Sequence, residues 1–244
     1  MPVAYNPFDA AAAAEMRADQ TDPVVMYLLL DKSRKLTREQ AMAAAAQACV
    51  RCAASYRDTP EHAEHFRLWY ARSYRKVVLR ADPETFRGFL DDDRAVAETD
   101  GVVSVVALPP RCRSETAYEL QALSPVTDIK RPRSITTVRA NPWAMKLITR
   151  ANIVMTDGKA MAQAGHAAMM CNDSNWRKDS RYVAAFTEWW QAGLPIEVHN
   201  VLSAEFEWLK HNIDCVVVRD AGLTQVEAGT ETVLATVPGA VIVH

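Results

Sequence analysis

Two stretches decide how this chain reads: "MYLLLDKSRKLTREQAMAAAAQACVRC" (residues 26–52) and "MKLITRANIVMTDGKAMAQAGHAAMMC" (residues 145–171). Laid one over the other at a constant offset of 119, without a gap, they share two Met, one Leu, one Thr, four Ala and a closing Cys. Each opens on an apolar run short enough for a strand and passes through a polar turn into an alanine-rich segment of helical length. Repetition on this scale sets the architecture before any single residue does. After the first copy come the apolar "WYARSYRKVVLRAD", a helical "PETFRGFLDDDRAVAETDG", the buried-strand pattern "VVSVVAL" and "AYELQALSP". After the second come "WWQAGLPIEVHNVL", "SAEFEWLKHNI", "DCVVVRDAG", the loop "LTQVEAGTE" and "TVLATVPG". Each half therefore reads strand, helix, strand, helix, strand, loop, strand, which predicts an α/β chain of two similar four-stranded units, a tandem duplication. The expected boundaries are an N-terminal tail (1–22), a first unit (23–128), a Pro- and Arg-containing linker (129–142) and a second unit (143–244). The first unit is expected to pack on the second as a built-in pseudo-dimer partner.

Composition narrows the class. Of 244 residues, 49% are hydrophobic and 24% charged, which is ordinary globular usage. No run approaches the roughly 18 apolar residues of a membrane span, and "MPVAYNPFDAAAAAEMRADQ" lacks a secretory pattern, so a cytoplasmic protein without a membrane partner is expected. Five cysteines do not suggest a disulfide framework. Cys49 and Cys52 form a CxxC followed by His62 and His65, but that spacing fits a zinc site poorly, and no metal or cofactor is expected. Net charge is −2 overall; residues 143–244 carry −3 and the rest +1, so any nucleic acid must be held by local patches. Two candidates are the basic residues Lys130, Arg131, Arg133, Arg139, Lys146 and Arg150, and the aromatic "RLWYARSYRK" (67–76).

The polar residues that break the repeat lie in the second half. Lys159 is read as opening its helix, where a cation faces the unfavourable end of the helix dipole, and Gln163 and His166 share its stripe. At the same offset the first half has Gln40, Ala44 and Gln47. Asp220 ends a strand of valines, and "VVSVVAL" laid on "CVVVRD" matches it with the apolar end near Leu108. An acid at a strand end and a lysine at a helix start can face one cleft in an open α/β sheet, although Asp220 also suits an Asx turn.

Together, "GKAMAQAGHAA" and "RDAGLTQVEAGTETVLATVPG" resemble the Gly-Lys-x-x-Ala-Gln-x-x-His-Ala helix start and the Arg-Asp-Ala-Gly-x-Thr-Gln strand–loop–strand of the type II peptidyl-tRNA hydrolases. The resemblance covers residues 143–244. It implies a mixed four-stranded sheet flanked by helices, in three layers, with the first half a degenerate copy. It assigns catalysis to Lys159, Asp220, Thr224 and Thr232, with Gln163, His166, Arg219 and Gln225 toward the substrate, and tRNA as the partner. The sequence departs from the family at Leu223, where a basic residue is usual, and in the acidity of this half. The expected chemistry is cleavage of the peptidyl-tRNA ester by direct water attack; acyl transfer to an amine, or binding without turnover, are the alternatives.

Overall fold

The computed structural model describes residues 21–90, 96–99, 101–128, 135–136, 143–174, 178–222 and 225–240. The first unit runs β1 (Val24–Asp31), α1 (Arg38–Tyr56), α2 (Ala63–Leu68), a π-helical turn (Trp69–Ser73), β2 (Arg75–Ala81) and α3 (Pro83–Gly88). It continues with β3 (Val96–Thr99), β4 (Val102–Ala107), β5 (Arg111–Cys112), a 3₁₀ turn (Arg113–Glu115), α4 (Tyr118–Gln121) and β6 (Ser124–Pro125). The second unit runs β7 (Met145–Arg150), α5 (Asp157–Asp173), α6 (Val183–Gln191), β8 (Ile196–Val201), α7 (Ser203–Asn212), β9 (Cys215–Arg219) and β10 (Glu231–Thr236).

The two sheets have the same plan. β1 pairs in parallel with β2 and antiparallel with β4, whose far side carries β3; β7 pairs in parallel with β8 and antiparallel with β10, whose far side carries β9. The order β2-β1-β4-β3 thus repeats as β8-β7-β10-β9, with the short β5 and β6 added to the first sheet. The central strands are buried on both faces, which is why they read as unbroken apolar runs. Leu28 and Leu147 face the shared core, while Leu29 and Ile148 point to the outer faces. Phe86 of α3 and Leu120 of α4 cover the first outer face, and Phe206 and Leu209 of α7 the second.

Between the sheets lie α1 and α5. Ala41, Ala45 and Ala48 of α1 and Ala160, Ala164 and Ala167 of α5 are fully buried in one core that runs through both units. Small side chains let two helices pack closely face to face, which accounts for the alanine bias of both copies. Both helices start in the same way, with the N-cap hydroxyl of Thr37 accepting from the Gln40 amide and that of Thr156 from the Lys159 amide. Both strands after them are entered through the same lock. Trp69 donates its indole N–H to the Arg75 carbonyl (2.8 Å) and Trp189 to that of Pro195 (2.9 Å). Each lock stabilises a non-glycine residue in the left-handed region, Tyr74 (φ 43°) and Leu194 (φ 64°). Phe66 and Phe186 sit edge-on to these tryptophans at 6.0 and 6.1 Å.

Four sequence expectations are corrected. Val96–Thr99 is a strand, not the end of a helix; α3, capped by Asp82 with Pro83 in its first turn, stops at Gly88. The counterpart of β9 is therefore β3, and "VVSVVAL" corresponds to β10, the strand beside the centre. "AYELQALSP" supplies a one-turn helix and a two-residue edge strand, not a core strand. The helix bearing Lys159 opens at Asp157, so Lys159 is its third residue and an acid occupies its first turn.

Candidate active site

Asp220 lies just past the end of β9 and is buried. Its backbone closes the neck of the β9–β10 loop twice, donating to the Thr230 carbonyl (2.8 Å) and accepting from the Gly229 amide (2.7 Å). Its Oδ1 accepts from the Gly222 amide (2.8 Å), the Asx turn that the sequence permits. Gly222 has φ 72°, and a Cβ there would stand 2.6 Å from the Ala228 nitrogen, so only glycine fits. One carboxylate oxygen is thus spent on the backbone, and the other is aimed at α5. There Oδ2 meets the Lys159 ammonium in an ion pair and the Gln163 amide in a hydrogen bond.

Lys159 and Gln163, one helical turn apart, both reach the same oxygen, as their shared stripe predicts. Lys159 keeps some solvent access, with 18% of its side chain exposed, whereas Gln163 is only 4% exposed. Gln163 Oε1 is buried without a hydrogen-bond partner. Such an orphan acceptor costs roughly 1–3 kcal/mol unless something supplies a donor.

The helix start is held from two sides. Gln225 clips the loop to the cap: the Thr156 amide donates to its Oε1 (2.7 Å), and its Nε2 donates to Thr156 Oγ1 (3.1 Å). From the first unit, the Thr127 carbonyl accepts from the Asp157 amide (2.8 Å), and Arg38 Nη1 pairs with Asp157 Oδ1 at 2.6 Å. The Val126 carbonyl would lie 2.2 Å from a Cβ at position 158, so Gly158 gives the strap after β6 room to cross the helix end. Arg38 and Asp157 are equivalent residues at the 119 offset, and they meet each other directly. Both are nearly buried; the Asp157 carboxylate sits in the first turn of α5, the end where the helix dipole favours an acid, and Arg38 neutralises it.

The other expected residues have other partners. His166 is buried; its Nδ1 lies 3.0 Å from Lys76 Nζ of the first unit, and its ring stacks on Tyr74. Burial, then Lys76 and Lys159, hold its pKa well below the usual histidine value, so the imidazole is neutral. Lys76 itself lies over the Trp69 and Tyr74 rings at 4.4 and 4.0 Å, and burial lowers its pKa to about 7. The strand register makes Ile196 its equivalent in the second unit. Arg219 pairs with Glu231 at 3.0 Å on the surface. Thr232, at a bulge in β10, donates to the Val218 carbonyl (3.4 Å). Thr224 falls outside the described residues.

The nucleic-acid patches look different in three dimensions. Lys146 is buried within β7 and Arg150 pairs with Glu207 at 3.3 Å, while Lys130, Arg131, Arg133 and Arg139 fall outside the described residues. Trp69 and Tyr74, the centre of the aromatic stretch, are core residues rather than a stacking surface. Cys49 and Cys52 are likewise core residues of α1, and burial raises the Cys49 thiol to about 11. Sequence reading missed Arg38 and Lys76, two first-unit cations whose side chains meet Asp157 and His166 of the site helix. Only their positions against Asp157 and Ile196 in the repeat could have marked them.

The site is thus a half-buried ammonium and a buried carboxylate flanked by an amide, just past the end of a strand in a mixed sheet. The model of the family described as peptidyl-tRNA hydrolase PTH2 matches residues 143–242. A probable peptidyl-tRNA hydrolase 2 of Schizosaccharomyces pombe is 31% identical over 102 residues, 41% of this chain and 50% of that protein. Its namesake in Drosophila melanogaster is 29% identical over 101 residues, 40% of this chain and 54% of the relative. A peptidyl-tRNA hydrolase of Staphylothermus marinus is 28% identical over 108 residues, covering 42% of this chain and 87% of its own length. The chain spans about half the length of the first two, and the similarity falls on its second unit.

Proposed function

We propose that the second unit hydrolyses the ester joining a peptide, or an N-blocked amino acid, to the terminal ribose of tRNA. The observation that carries this reading is the Lys159–Asp220–Gln163 cluster, in which a buried acceptor, Gln163 Oε1, awaits a donor. A water held between Gln163 Oε1 and Asp220 attacks the carbonyl carbon, and its proton passes by way of the Asp220 carboxylate to the departing ribose oxygen. Lys159, the most accessible member, offers its ammonium to the oxyanion of the tetrahedral intermediate. The products are a peptide with a free carboxylate and a tRNA with a free hydroxyl. Thr224 and Thr232 remain candidates for holding the ribose or the water. His166 is assigned here to the interface between units, since Lys76 occupies its Nδ1. No helix among the described residues is long and apolar enough to cross a membrane.

The test is single-turnover cleavage of a peptidyl-tRNA by the purified chain. Lys159→Ala and Asp220→Ala are each expected to lower the rate by about 10²–10³, the usual cost of removing one transition-state group. Retention of near wild-type cleavage by Lys159→Ala overturns the assignment.

A further inference from the structure

The first unit carries a cluster that the hydrolase reading does not use. His65 of α2, Cys112 of β5 and Glu115 of the 3₁₀ turn place one ligand atom each within 4.8 Å of one another. We propose that these three side chains form a binding site for a divalent transition-metal ion of the zinc class.

Ligand presentation supports it. Cys112 ends β5 as the N-cap of the 3₁₀ turn and Glu115 closes that turn three residues on, so one short segment presents both ligand atoms to the same spot. The turn is a fixed platform. Cys112 pairs with Val24 at the start of β1, the Ser114 amide donates to Asp22 Oδ1 (2.7 Å), and Thr116 Oγ1 donates to the Cys112 carbonyl (3.3 Å). His65 arrives from a helix 47 residues earlier and sets its Nε2 2.9 Å from Glu115 Oε2. In a tetrahedral site with bonds of about 2.0–2.3 Å, neighbouring donor atoms lie roughly 3–4 Å apart, so the three need only small movements to close on an ion.

The donor set selects the ion. A thiolate and an imidazole disfavour Ca²⁺ and Mg²⁺, which take oxygen cages, and suit Zn²⁺. One thiolate and one carboxylate neutralise a divalent charge, and three protein ligands leave the fourth tetrahedral position to water or an incoming ligand. Neighbouring Arg111 is turned toward Glu61 (3.7 Å), which lessens its repulsion of a cation. The CxxC–HxxH pattern therefore had the right histidine and the wrong cysteines: His65 meets Cys112, not Cys49 or Cys52. The site is independent of the hydrolase reading, since it shares no residue with it.

The experiment is titration of the tag-free full chain with Co²⁺ as a spectroscopic stand-in, followed by displacement with Zn²⁺. Uptake of one equivalent with a thiolate-to-cobalt charge-transfer band and tetrahedral ligand-field bands is expected, and Zn²⁺ should abolish both. Cys112→Ser should remove the charge-transfer band, and Glu115→Gln and His65→Ala should each weaken binding by at least about a hundredfold, with folding checked by circular dichroism. Cys215→Ser, at the other partly exposed cysteine among the described residues, should change nothing. An octahedral spectrum without the sulfur band, or Cys112→Ser binding as wild type, overturns the proposal.

Discussion

Replacing Lys76 with methionine should make the protein's stability respond differently to pH, and the size of the effect follows from burial. Among the described residues the ammonium has no carboxylate against it; it faces His166 Nδ1, the Trp69 and Tyr74 rings and the Cys49 side of α1, with Cys52 and Asp173 further off. Burial, the dominant cause, takes its pKa from 10.5 to about 7. The folded chain therefore releases this proton at lower pH than the unfolded chain does. Its cost is fully present below the folded value and fades as pH rises toward the unfolded one. At about 1.4 kcal/mol per pH unit, the full penalty is roughly 5 kcal/mol, and between pH 7 and 9 it falls by about 1 kcal/mol per unit. Methionine fills similar space without a charge. Its loss of the contact to His166 Nδ1 adds a pH-independent offset of about 1–3 kcal/mol, so the slope rather than the absolute difference carries the test. Urea unfolding of both proteins at pH 7, 8 and 9 measures it, in a range where His166 is neutral folded and largely neutral unfolded. The gap between variant and wild type should move by about 2 kcal/mol against the variant across that range. A gap that stays constant refutes a buried, neutralising Lys76.

Two further outcomes test the interface. Asp157→Ala should slow ester cleavage along with destabilising the fold, because it takes from the nearly buried Arg38 its carboxylate partner and frees the first turn of α5; exchanging the two charges (Arg38→Asp with Asp157→Arg) should restore stability better than either single change, read by thermal melting. Gly165→Ala should destabilise by about 1–3 kcal/mol, since the new methyl would stand 2.7 Å from Cys49 Sγ and 3.2 Å from Lys76 Cδ; unchanged unfolding would mean that the two units can separate slightly at no cost.

Much of this architecture is legible in the sequence because a repeat doubles every signal. Thr37 and Thr156 mark the same cap, and the paired apolar runs mark the same central strands. What escaped was local. The charge run after Leu90 draws the eye past "VAET", a strand of four residues whose apolar pair, Val96 and Ala97, is too short to show a period. Missing it displaced the alignment of the hairpins. At the site, helical spacing foretold that Lys159 and Gln163 would converge, and the strand-end position of Asp220 supplied their target. The same spacing could not foretell that His166 would turn to Lys76, since contacts between units depend on how two sheets are set against each other. Nor could it show that Trp69 and Tyr74, aromatic and flanked by arginines, close a core instead of offering a stacking platform.

Arg38 and Asp157 occupy the same place in each half, and they attract because the halves differ there. Were two copies of the second unit to meet in this arrangement, an aspartate would confront an aspartate; two copies of the first would set guanidinium against guanidinium. Each half is thereby matched to its neighbour on the same polypeptide rather than to its own kind, and the helix of the first half carries Gln40 where the second carries the lysine of its lysine–aspartate pair.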